Sequence, residues 1–231
     1  MTEMARRFLR QKSRSTGTMV LVALLVFGAT SMLAPSGGAA PVGGLGIVVL
    51  LVLGAACVSR DASGGALQMI LVRPIRRTEY LFGRYFGLIA AFVLFLVITA
   101  VFTLISRGLW YRGAAPLSAS AFSSNLGASV LMAVQIAAVL LFFSTFLPGY
   151  GDAAAVVVLY MLLSLQTSSA AFNRLASGLR REILPSVAWE KVFAGETPAL
   201  ADAGRAALAT ALFLCAAAVV FARREFAYGQ D

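Results

Sequence analysis

The sequence predicts an all-α polytopic membrane protein with six transmembrane helices, and two observations carry that reading. Five stretches hold no Asp, Glu, Lys or Arg: Ser15–Ser59, Tyr85–Ser106, Gly113–Gly151, Ala153–Asn173 and Ala206–Ala222. A helix of about 20 apolar residues spans the hydrocarbon core, so Ser15–Ser59 and Gly113–Gly151 are each long enough for two passes, or for a pass plus a loop. The second observation is composition. The chain is 60% hydrophobic and only 13% charged, with a mean hydropathy of +0.86. A soluble domain would carry about a quarter charged residues and a charged outer face on its helices. Only helices and closed barrels satisfy the backbone in lipid, and these apolar runs are continuous rather than alternating, so the spans are read as helices. Residues 1–231 are expected to form one transmembrane domain, with no separate soluble domain among them.

The chain opens with Arg6, Arg7, Arg10, Lys12 and Arg14. Met1, Met4, Ala5 and Phe8 share one helical face and four of the arginines the other, with Lys12 breaking the pattern, which predicts a short amphipathic helix on an anionic, cytoplasmic leaflet or, as the alternative, a flexible basic tail. The first span is Thr18–Leu33. Its basic approach and the small residues at Gly37–Ala40 imitate a signal peptide, but it is expected to be retained. Ala34–Pro41, rich in Pro and Gly, is a tight turn. Val42–Val58 is the second span. Ser59–Arg84 is a basic return segment, and Thr78 is placed to cap the third span, Tyr85–Ile105. Ser106–Asn125 reads as an outer loop with Trp110 and Tyr111 at headgroup level. The fourth span is Leu126–Leu147 and the fifth Ala153–Ser169, joined by the turn Pro148–Asp152. Between Ala171 and Gly204, Phe172, Leu175, Leu179 and Ile183 recur at helical spacing. Pro185 ends that set, and Val187, Trp189, Val192 and Phe193 begin another. Two amphipathic extracytoplasmic helices are expected there. Ala206–Ala222 is the sixth span.

Six spans put both termini on one side. The N-terminus, the Ser59–Arg84 segment and Arg223/Arg224 then share 12 of the 19 Lys and Arg residues, which assigns that side to the cytoplasm. The net charge of +9 is read as this bias and not as nucleic-acid binding. The chain has no His, which removes Ser–His and Cys–His chemistry and most zinc and haem sites. Cys57 and Cys215 lie in apolar runs with no CxxC neighbour and are read as small buried residues. No ionisable residue sits in the middle of a span, which argues against ion-coupled transport. No catalytic or metal-ligating set is expected.

The segment with most information is Ser59–Gly87. Asp61 or Ser63 can cap a short helix whose apolar face is Leu67, Ile70 and Leu71. Pro74 ends that helix. Arg76 and Arg77 hold the following turn at the headgroups. The product is a short helix parallel to the membrane and joined to a span at each end, suited to pass a push from a soluble partner into the bilayer. Gly83 and Gly87 make a GxxxG pattern at the start of the third span, a candidate close helix contact. Thr99 and Thr103 in the third span and Gln135 in the fourth are polar groups at depth. They are read as interhelical hydrogen-bonding groups or, alternatively, as the lining of a substrate path.

The Ser59–Gly87 segment resembles the loop between the second and third spans of ABC-2 type permeases, the membrane subunits of type V ABC exporters. The matching residues are Gly65, Leu67, Ile70, Leu71, Pro74, Arg77 and Gly83. Arg84 stands where that family usually has Lys, Ala66 where it has Thr, and Gln68 where Glu is frequent. The resemblance implies a coupling interface to an ATPase at Ser63, Gly65, Leu67, Ile70, Leu71, Pro74, Arg76 and Arg77. It implies a bacterial inner-membrane, multi-pass permease of an ATP-driven exporter, with cytoplasmic termini and a second permease subunit in a homodimer or heterodimer. No GxxxxGK[ST] motif is present, and the only lysines are Lys12 and Lys191, so ATP and Mg are expected in a separate ATP-binding subunit. The alternative function is a non-transporting membrane scaffold that anchors such an ATPase in an assembly complex.

Overall fold

The computed structural model describes residues 16–36, 43–55, 77–111, 116, 118–147, 150–164, 173–174, 177 and 197–223. Six helices lie among them: α1 (Thr16–Leu33), α2 (Gly43–Gly54), α3 (Arg77–Leu109), α4 (Ala119–Ser144), α5 (Gly151–Ser164) and α6 (Thr197–Arg223). Each coincides with one of the stretches expected to be a span. Three contain a run long and apolar enough to cross a membrane: Thr78–Leu109, Ala119–Ser144 and Ala203–Arg223. Met19–Leu33 and Leu45–Gly54 are shorter apolar helices. The basic N-terminal segment, residues 56–76 and most of residues 165–196 lie outside the described residues.

The boundaries depart from the sequence expectations wherever a helix runs on past the apolar stretch. α3 begins at Arg77 and ends at Leu109, not at Tyr85 and Ile105. Thr78 therefore lies inside its first turn and does not cap it. Glu79 in the first turn and Arg107 in the last complement the helix dipole, so the polar ends are stable as helix. At 1.5 Å per residue α3 is about 50 Å long, against about 30 Å of hydrocarbon. Its uncharged part, Tyr85–Ser106, covers about 33 Å, close to that thickness.

The outer loop expected over Ser106–Asn125 shrinks at both ends. Ser118, with extended backbone (φ −81, ψ 105), caps α4 by accepting a hydrogen bond from Ala121 N, so the helix starts at Ala119. α4 closes at Ser144 with a tightened turn in which Thr145 N and Oγ1 both donate to Phe142 O. α5 starts at Gly151, inside the expected turn, and Asp152 Oδ1 accepts from Ala153 N at 2.7 Å. α6 starts nine residues before Ala206, at Thr197.

α4 is the hub. It packs against α2, α3, α5 and α6, while α1 packs on α2 and α3. Glycines let α2 approach its neighbours. A Cβ on Gly54 would collide with a Leu140 methyl and fall 3.1 Å from one of Leu88, and a Cβ on Gly46 would fall 3.1 Å from Phe92. Leu50, Leu88, Phe92, Phe95, Leu140 and Leu141 fill the core around them.

Three contacts fix the helix directions. Gly54 lies by Leu88 and Gly46 by Phe92, so α2 runs opposite to α3. Tyr80 near the start of α3 stacks on Phe221 near the end of α6, so α6 also runs opposite to α3. Arg107 at the end of α3 reaches Ala34 just past the end of α1, so these two run the same way. The start of α3, the end of α2 and the end of α6 therefore share one end of the bundle.

Candidate functional site

The root of α3 is where the expected coupling segment meets the described helices. Ser63, Gly65, Leu67, Ile70, Leu71, Pro74 and Arg76 lie outside the described residues. Arg77 is the first residue of α3. The helix therefore takes up the chain three residues after Pro74.

Two turns further on, Arg84 is buried among apolar neighbours. A buried guanidinium is costly unless paired. Its Nε donates to Tyr80 Oη at 3.2 Å, and its guanidinium lies 5.4 Å from the centre of the Tyr80 ring. Tyr80 in turn stacks on Phe221, with centroids 5.9 Å apart and planes 17° apart. An arginine can both donate from a planar group and lie over a ring, where lysine offers only a point charge. The Arg84–Tyr80–Phe221 stack binds the base of α3 to the end of α6. Sequence reasoning gave Tyr80 and Phe221 no role; the available signal was an arginine placed immediately before the uncharged run of α3.

Gly83 and Gly87 are both buried, on the same α3 stripe as Tyr80, Arg84, Leu88 and Phe92. Higher in the helix Thr99 and Thr103 are fully buried, yet neither hydroxyl donates to another helix. Thr99 Oγ1 donates to Phe95 O at 2.9 Å and Thr103 Oγ1 to Thr99 O at 2.8 Å, each one turn back. The expected interhelical role is thus corrected for these donors: a threonine in a helix can satisfy its hydroxyl locally, with no partner across the interface. A bond between α3 and α4 is made by Tyr85, whose hydroxyl donates to Val134 O at 3.0 Å.

Gln135 stands beside that carbonyl. It is 5% exposed, and its Nε2 has no hydrogen-bond partner. Buried amides are normally paired, so this one holds an unused donor in the core of the hub helix. Cys215, expected to be buried, is exposed on α6, because the apolar run around it faces outward as well as inward. Cys57 lies outside the described residues.

At the other end of α3, Arg107 Nη1 donates to Ala34 O at 2.6 Å, placing a cation at the C-terminal end of α1. Below this contact a groove of about 550 Å³ runs between α1 and α3, from Met19 to Ser31 on one wall and from Ile98 to Tyr111 on the other.

No protein-family model matches this chain, and no curated protein matches it.

Proposed function

We propose that the chain is the membrane-spanning permease subunit of an ATP-driven ABC transporter, an exporter, and that a separate ATP-binding subunit docks on the segment before α3. One observation carries the reading. The stretch of sequence from Gly65 to Arg76, rich in Leu and Ile and holding Pro74, runs directly into a continuous helix of 33 residues that begins at Arg77. A displacement delivered to that segment reaches a stiff rod about 50 Å long. The Tyr80–Phe221 stack ties the base of the rod to α6, so the displacement is shared by two helices.

The directions of α2, α3 and α6 support a bundle in which both termini and the docking segment face the same side. The Lys and Arg excess makes that side the cytoplasm of a bacterial inner membrane. In this reading all six helices cross the bilayer. α1, α2 and α5 do so together with residues that flank their described parts, and the segment between α5 and α6 lies at the outer surface. A second permease subunit completes the transporter, and ATP and Mg are held by the partner.

Co-purification with the ATPase encoded beside it tests the proposal. Recovery of the chain only alone, with no nucleotide-binding subunit in any preparation, would sink it. In a reconstituted complex, Leu71→Asp and Arg77→Glu should abolish the coupling of hydrolysis to transport while the protein still elutes as a folded species. Hydrolysis that responds to a transported compound separates the permease from a scaffold.

A further inference from the structure

We draw no further inference here: the strongest candidate, the half-open apolar groove of about 550 Å³ between α1 and α3, carries nothing because nothing in the structure shows what covers it.

Discussion

α1 and α4 read alike as sequence, since both are uncharged throughout and neither has a distinct apolar face, yet they occupy opposite situations. α4 has its best spanning window 56% buried and touches four other helices. α1 packs on two and exposes Met19, Val20, Leu21, Leu24, Phe27 and Met32. In water, an apolar stripe set against a polar face would tell a helix's buried side from its exposed one. Lipid demands no such stripe, because its tails are as apolar as leucine and the driving force is packing. The difference teaches that small residues, more than apolar ones, mark the centre of this bundle. α4 buries Ala128, Ser129, Ala133, Ala137 and Ala138, which let neighbouring backbones come close.

This contrast can be broken most severely at Leu140, the hub residue that faces Gly54. Transfer from water is not at stake, but the cavity is, and at ~24 cal/mol per Å³ Leu140→Ala should cost about 2 kcal/mol. Leu212→Ala on the exposed face of α6 should cost almost nothing. Unfolding midpoints of the two purified variants in micelles make the comparison, and equal shifts would refute the hub.

Gly54→Leu attacks the same contact from the other helix. Its side chain must enter space held by Leu140 and Leu88, both fully buried, so a loss of about 1–3 kcal/mol is expected. Gly108→Leu, where an added Cβ meets nothing within 4 Å, is the matched control and should be tolerated.

Gln135→Leu should move stability the other way. Removing an unpartnered buried amide and keeping its bulk is expected to stabilise the protein by about 1 kcal/mol. A lowered unfolding midpoint would show that the amide has a partner the described arrangement lacks.

Two changes of decreasing size sharpen the interface between α3 and α4. Tyr85→Phe removes one interhelical bond, and such bonds in membranes average about 0.6 kcal/mol. Thr103→Val should change stability by less than about 0.5 kcal/mol, since its hydroxyl donates only to its own helix. A larger loss at Thr103 than at Tyr85 would invert the assignment of which residue joins the helices.

What could be read without the structure was the rough place of the six helices among the described residues, because an unbroken run of uncharged residues dictates helix in lipid whatever surrounds it. All six expected stretches contain one. The ends were read less well. Ser118 could have been recognised as a cap from its type, but the run of α3 to Arg77 depends on polar residues that a hydropathy argument excludes. The GxxxG pair could be read as a pattern, and Gly83 and Gly87 are buried in α3. The fate of the polar groups was not legible. Thr99, Thr103 and Gln135 all announce themselves as polar atoms at depth. Only the geometry shows that two of them bond backward and the third is left unpaired.

The sequence alone therefore determined that this is a helical protein with segments apolar enough for a membrane, because the absence of charge is a local property of the chain. The tertiary structure alone decided that α4 is central and α1 peripheral, that Arg84 meets Tyr80 and Tyr80 stacks on Phe221, and that an apolar groove opens between α1 and α3. Each of these depends on which side of an evenly apolar helix meets a neighbour. Nothing in a run of uncharged residues encodes that choice; close packing of small against large side chains makes it.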